Sequence, residues 1–357
     1  MEIKPDFERF RKAVFYQEPD RVPLVELIVD LNHQSAMLGR EVTPDDLKSQ
    51  VDFWVSAGYD FIPLTTGLMK PGEVTKESQV VKIVEHVLQD EVAPSGKKSA
   101  WTIETKGVIT NFDEFEQFPW MDADQLDYGV FEEVQQYLLP GMKIIAQTGK
   151  IFTLTWMLMG FQHFCSCIME NEELVERVFA KVGEIQLKSL ERILEFENIG
   201  AAWGVDDLAF KFGLMLSPEQ FRKFVFPWYR DMVKVCHEKD ALFVFHSDGD
   251  LTKLLDDFID IGLDALHPID PSAMDINKTK DYLRNKMAIM GNISLDTLTR
   301  GTTDDVVELT KKRIRELAPG GGYIVASANS IPDWVKFENY KAMIDTTLEF
   351  GRYPIRG

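Results

Sequence analysis

ALFVFHSDGD, residues 241–250, reads as a buried strand that ends in polar chemistry. Ala241 to Phe245 form an unbroken apolar run, the pattern of a parallel strand covered on both faces. His246 and Asp248 follow, two residues apart, so both side chains can point to the same side of an extended chain. Such a pair can share a metal ion. The plainer reading has His246 capping the inside of a sheet and Asp248 opening an Asx turn before the next helix.

Working outward, similar runs recur along the 357 residues: VPLVELIV from 22, YDFIPLTT from 59, MKIIAQT from 142, IGAAWGV from 199, LDALHPI from 263, KMAIMGNI from 286 and GYIVASA from 322. Longer amphipathic stretches follow most of them, and this alternation is the signature of parallel βα units. With the first stretch there are about eight runs, the number that closes a cylinder filled by its own side chains. The expected fold is α/β, a (β/α)8 TIM barrel formed by one domain over residues 1–357, with a helical segment over 1–20 and an open doubly wound sheet as the competing architecture.

Helix punctuation supports the crossovers. Ser217-Pro218-Glu219-Gln220 opens a run to about Lys239, and Thr303-Asp304-Asp305 opens another to Leu317, stopped by Pro319-Gly320. The gap between the second and third runs is too long for one helix. There VVKIVEHVL and SAWTIETKGVIT, across Pro94-Ser95-Gly96, alternate like a hairpin, which predicts an insertion over about 70–125, between strands 2 and 3.

The formal net charge of −19 repels phosphate backbones and anionic headgroups, so neither nucleic acid nor a membrane surface is an expected partner. Charges throughout MEIKPDFERFRKAVFYQEPDR occupy the place where a signal peptide needs an apolar core, which predicts a cytoplasmic protein. Cys165, Cys167 and Cys236 are too few and too unevenly spaced for a disulfide framework. The apolar stretch from Ile151 is interrupted by Thr153, Thr155, Gly160, Gln162 and His163, and reads as a strand running into a buried helix.

In a closed parallel barrel the C-terminal strand ends build the site. Candidates for catalysis there are Asp206, Asp207 and His246, and for metal binding Glu26, His246 and Asp248; Gln147, His267, Asn292, Ser327 and Asn329 are candidates for substrate binding. Glu26 interrupts an apolar run, where a carboxylate is expensive unless it is paired or hydrogen-bonded. Asp206-Asp207 could instead be a capping and turn device. In His163-x-Cys165-x-Cys167 only His163 and Cys167 share a helix face, and core packing is the stronger reading there.

These residues resemble the uroporphyrinogen decarboxylase superfamily, which includes corrinoid-dependent and coenzyme M methyltransferases. The resemblance is carried by Asp20-Arg21-Val22-Pro23, Ser217-Pro218-Glu219-Gln220-Phe221 with Pro227, His246-Ser247-Asp248-Gly249-Asp250, Gly291-Asn292-Ile293-Ser294, Gly320-Gly321-Gly322-Tyr323-Ile324 and Gly351-Arg352-Tyr353. The decarboxylases of that superfamily carry an arginine-bearing segment after strand one, where this chain reads Glu26-Leu27-Ile28-Val29-Asp30. A polycarboxylate would meet repulsion there instead of bidentate pairing. The coenzyme M enzymes carry an H-x-C pair and a later cysteine, where this chain has His246-x-Asp248 and Asn329. The resemblance therefore implies a methyltransferase that moves a methyl group from a small O- or N-methylated substrate to a corrinoid (cobalamin) carried by a separate protein. Zinc is the candidate cation, decarboxylation is the alternative activity, and a homodimer is left open; a non-catalytic binding protein on the same barrel is the reading from another class.

Overall fold

A computed structural model describes residues 4–65, 88–92, 98–102 and 107–355. Seven of the expected runs form one parallel sheet in chain order: Phe61–Thr65, Lys143–Thr148, Ile199–Val205, Leu242–His246, Ala265–His267, Ala288–Met290 and Tyr323–Ile324. Each neighbour is one βα unit further along the chain, so every C-terminal strand end faces the same side. The central strands are shielded on both faces: Leu242–His246 is buried at all five positions, as the unbroken apolar run demands.

The first run differs from expectation. Residues 22–29 form no ladder strand; single bridges join Leu24 to Val325 and Val29 to Ile331, both parallel, so the segment lies beside the last strand of the sheet. Pro23 has no N–H to donate, and the chain bends at Leu27, so pairing cannot propagate. Four main-chain hydrogen bonds tie it to Val325 and Ile331, including Val25 N to Val325 O at 2.9 Å and Asp30 N to Ile331 O at 2.8 Å. On the other side, Arg21 Nη2 donates to Gly58 O, just before the Phe61–Thr65 strand, at 2.7 Å, and Gln147 Nε2, from the Lys143–Thr148 strand, donates to Leu27 O. The architecture is a curled parallel α/β sheet of seven strands with this eighth segment bridged to its edge.

The helices follow their sequence signals. Ser217 and Gln220 close a capping box on Pro218–Phe224, and Thr302 and Asp305 close another on Thr303–Leu317. The first run breaks after Phe224 and resumes as Phe226–Glu238, so the single helix expected to Lys239 is two. The apolar stretch from Ile151 is helical from its first residue and holds no strand: Ile151–Met159 and Phe161–Glu170 meet at 95°. Gly160 between them takes φ 74°, a conformation that favours glycine and ends the first helix. No single helix is long and apolar enough to cross a membrane among the described residues. The N-terminal segment supplies the helix Phe7–Val14, capped by Asp6.

Leu88–Val92 and Lys98–Thr102 pair antiparallel, in the register Leu88 to Thr102. The expected turn at Pro94-Ser95-Gly96, and most of the insertion before residue 107, lie outside the described residues. The core runs from Phe7 to Ile344 and includes Trp203, Tyr229, Phe243 and Phe245. Tyr229 packs edge-on to Phe245 at 4.9 Å and ties the Phe226–Glu238 helix to the Leu242–His246 strand. Burying an aromatic side chain of this kind stabilises by about 2–3 kcal/mol.

Candidate functional site

Register alone gathers the first polar groups. Val205, His246 and His267 are lateral neighbours on three adjacent strands. Residues that follow them must meet just beyond the sheet: Asp206 N donates to His246 O at 3.0 Å, and Ser247 N to His267 O at 3.1 Å. One residue later the two strand ends touch through Asp248 N and Asp207 Oδ1, 3.0 Å apart. His246 Nε2 lies 3.7 Å from Asp207 Oδ1 and 3.8 Å from Asp248 Oδ1. The ligand atoms of Asp207, His246 and Asp248 all fall within 4.8 Å of one another, a set able to hold a metal ion.

The electrostatics favour a cation. Burial pushes the Asp248 carboxyl up to about 7, and the carboxylates of Asp207 and Asp270 push the same way. Burial holds His246 below its ordinary range, against the pull of Asp207, so its imidazole is a neutral donor. Asp248 Oδ1 is buried without a hydrogen-bond partner, while Oδ2 accepts from Asn329 Nδ2 at 2.6 Å. A bound cation would satisfy the free oxygen and relieve the repulsion between neighbouring carboxylates. One nitrogen and two carboxylate donors, with Asn329 steering one carboxylate, fit zinc or a harder divalent ion.

Glu26 is not part of that set. It is fully buried, and both oxygens accept from Ser327: Oε1 from the main-chain N–H and Oε2 from the hydroxyl, each at 2.7 Å. With its acceptors occupied, Glu26 joins the bridged first segment to the last strand, and Asp207 stands where the sequence reading put Glu26. Burial pushes its carboxyl up to about 8 despite those bonds.

Asp206 also takes another part. Its side chain turns back into the fold, accepting from Phe152 N at 2.7 Å, Thr153 N at 2.8 Å and Tyr229 Oη at 2.6 Å. Lys150, the N-cap residue of Ile151–Met159, makes no side-chain capping bond, so Asp206 satisfies this helix end from a distant strand. This candidate for catalysis is thus an anchor for the helix, although burial raises its carboxyl to about 6.

The candidates for substrate binding divide. His267 is fully buried; its Nδ1 is 2.8 Å from His246 Nδ1 and its Nε2 has no partner. Asn292 donates to Ile269 O at 2.7 Å and leaves its Oδ1 buried and unpaired. Gln147 holds Leu27 O, Ser327 holds Glu26, and Asn329 holds Asp248. His267 and Asn292 therefore carry unused polar atoms, and the other three are committed to the frame. Sequence reasoning missed Tyr229, whose only trace is a hydroxyl on an otherwise apolar helix face, and the influence of Asp270 on Asp248.

A short hairpin, Ala209–Phe210 with Gly213–Leu214, follows Asp207 and covers this end of the sheet. It sits on Gly249, where a Cβ would approach Phe210 O to 2.6 Å, so only glycine allows the contact. At His163-x-Cys165-x-Cys167, His163 Nε2 and Cys167 Sγ are 3.0 Å apart and Cys165 is exposed. That string supplies no metal-binding group among the described residues.

The model of one family, Uroporphyrinogen decarboxylase (URO-D), matches residues 107–350. The chain belongs to the uroporphyrinogen decarboxylase family. The matched span holds Asp207, His246 and Asp248, whereas Glu26 precedes it. Among solved structures, a methyltransferase from Methanosarcina mazei is similar in fold, with TM-score 0.68 and 16% identity over 97% of this chain and 99% of that one. A sugar phosphate isomerase/epimerase from Parabacteroides distasonis reaches TM-score 0.39 at 10% identity, covering 95% of this chain and 96% of the other. An endo-1,4-beta-xylanase from Caldicellulosiruptor owensensis reaches 0.36 at 10% identity, covering 67% and 88%. The search of curated proteins finds no match. Within the uroporphyrinogen decarboxylase family, this member lines the described strand ends with carboxylates and imidazoles, and no arginine pairs with them there.

Proposed function

We propose that this member of the family is a methyltransferase that takes a methyl group from a small O- or N-methylated substrate, with a corrinoid protein as the acceptor. The observation that carries the reading is the Asp207, His246 and Asp248 cluster at the C-terminal strand ends, in which Asp248 Oδ1 is buried without a hydrogen-bond partner. Its hard oxygen and nitrogen donors suit a cation that polarises an oxygen or nitrogen leaving group, and lack the thiolates that would suit activation of a thiol. The fold likeness to a methyltransferase points the same way.

When bound, the cation supplies Lewis acidity to the atom that loses the methyl group. Every other task falls to the chain. Asp207 and Asp248 neutralise the cation's charge, His246 completes the set, and Asn329 fixes the rotamer of Asp248. Asp206 holds the Ile151–Met159 helix against the site wall. His267 and Asn292 offer the substrate a hydrogen bond each, because their free atoms are desolvated and gain most from a partner. The ring of carboxylates selects against an anionic substrate.

The test is an assay of methoxylated arenes and methylamines with a reduced corrinoid protein as acceptor, following methylation of the corrinoid by absorbance. Turnover that disappears on chelation and returns with zinc is expected. Inertness towards every donor in protein with a full complement of metal would overturn the reading. Decarboxylation, favoured by the family match itself, is read in the same samples as release of carbon dioxide from a porphyrinogen.

A further inference from the structure

Cations are scarce where the strands of the sheet run out. Between each strand end and the next helix, the described residues carry three: Lys150 after Lys143–Thr148, Lys211 after Ile199–Val205 and Lys336 after Tyr323–Ile324. Lys336 Nζ donates to Gly301 O at 2.9 Å, and Lys211 Nζ lies 5.6 Å from the centroid of the Phe212 ring at the hairpin tip. Lys150 is exposed and makes no hydrogen bond or ion pair among the described residues, in a chain whose net charge is −19. Its main chain is nonetheless fixed against the site. Gly149 O accepts from Tyr229 Oη, and a Cβ on Gly149 would come within 3.1 Å of Gly204 Cα, two positions before Asp206. On the other side, Phe152 N and Thr153 N donate to Asp206.

Strand order gives the cluster two unlike flanks. Lys143–Thr148, Ile199–Val205, Leu242–His246 and Ala265–His267 are successive neighbours, so Lys150 stands beyond one side of Asp207, His246 and Asp248, and Asp270 beyond the other. The fields agree with that placement: Asp270 acts on Asp248, and the Lys150 ammonium adds to burial in holding the His246 imidazole below its ordinary range. Two carboxylates and a divalent cation sum to zero, which leaves the charge of Lys150 uncancelled by the cluster it flanks.

We propose that Lys150 is the ammonium that meets the departing oxygen of the substrate, so that the site serves O-methyl donors whose product is an oxyanion, aryl methyl ethers above all, and disfavours methylated amines. This rests on the methyltransferase reading and narrows it. When an ether gives up its methyl group, the O–C bond breaks with both electrons left on oxygen, and the methyl carbon takes the electron pair offered by the reduced corrinoid acceptor. The oxygen ends with one negative charge. Lys150 keeps its proton and pairs with that oxygen, and solvent supplies the proton of the free phenol after release. The ether oxygen is neutral at the start, so the ion pair strengthens only as the bond breaks, which is the condition for a contribution to rate. A quaternary or protonated amine runs the other way. It enters as a cation, which Lys150 repels, and leaves as a neutral amine, which Lys150 does not hold. An exposed ammonium acts through partly screened solvent, and a phenolate, whose ring spreads the charge, asks less of it than an alkoxide does.

The test is binding of probes of one shape and different charge: p-nitrophenolate, its methyl ether p-nitroanisole, and p-nitrophenyltrimethylammonium. Each is titrated into the wild type, Lys150→Met and Lys150→Arg, with zinc and in parallel with chelator. In Lys150→Met the phenolate should weaken about 5–10-fold and the ether by less than about twofold, while the trimethylammonium ion binds more tightly; Lys150→Arg should keep most of the wild-type preference. Equal losses for phenolate and ether, or a phenolate affinity unchanged under both conditions, overturns the assignment. With the reduced corrinoid protein as acceptor, Lys150→Met should lower kcat for the ether at nearly constant KM. The two readings fail separately. A preference for the phenolate that depends on Lys150, in protein that transfers no methyl group, removes methyl transfer and leaves the oxyanion-binding residue standing. Transfer from the ether that is indifferent to Lys150 does the reverse.

Discussion

Replacing Glu26 by Gln changes one proton's worth of charge in a place where nothing else needs to move. The amide oxygen can accept from Ser327 N as Oε1 does now, and the amide N–H can donate to Ser327 Oγ, so both links between the first segment and the last strand survive. What is lost is a titration. Burial carries this carboxyl from its ordinary 4.5 to about 8 in the folded protein. A raised acid contributes its full stability below the unfolded value and loses it as pH rises to the folded one, because the unfolded chain ionises first. Between pH 4.5 and 8 the wild type therefore weakens relative to Glu26→Gln; above 8 the gap stays constant. At roughly 1.4 kcal/mol per pH unit the gap has an upper bound of about 5 kcal/mol. Urea unfolding of both proteins in chelator, at intervals from below pH 5 to above 8, measures it as the difference in extrapolated stability, in which all other titrating groups cancel. Parallel stability curves across that window would refute the reasoning, since Glu26 would then be ionised in the fold or hydrated.

Asp206→Ala removes three hydrogen bonds and strands the Phe152 and Thr153 N–H groups, so a loss of about 3 kcal/mol or more is expected in the same urea experiment, against a smaller loss for Tyr229→Phe. A loss under about 1 kcal/mol for Asp206→Ala would mean that the helix end finds water instead. Zinc measured by calorimetry should fall sharply for His246→Ala, Asp207→Asn and Asp248→Asn and persist in Glu26→Gln; loss of zinc in Glu26→Gln would restore the ligand set read from the sequence. Asn329→Ala should weaken zinc about 10-fold by freeing Asp248, and unchanged affinity would make the Asn329 contact incidental.

Most of the frame was legible because it depends on local periodicity. Seven apolar runs became the seven strands in the order read, and helices opened at Ser217 and at Thr302, one residue before the Thr303 read from the sequence. The first run misled for a local reason as well: Pro23 cannot donate, so an apolar segment of strand-like composition forms bridges without a ladder. The stretch from Ile151 misled because apolar runs of that length do not distinguish strand from helix, and Gly160 decided the break.

The site divides along a different line. His246 and Asp248 were recognisable because two-residue spacing on a strand is itself a geometric statement. The third donor was not, because the competition among Glu26, Asp206 and Asp207 turns on which oxygens are already occupied, and those partners lie 54 residues away for Asp206 with Phe152 and 301 away for Glu26 with Ser327. By itself, the amino-acid order determined the parallel sheet, the direction in which every strand points and the residues available at the strand ends, since propensity and periodicity act over a few positions. Only the tertiary structure decided which carboxylate anchors a helix, which ties two segments together and which is left to meet a cation, because a hydrogen bond is assigned by distance in space and not by separation along the chain.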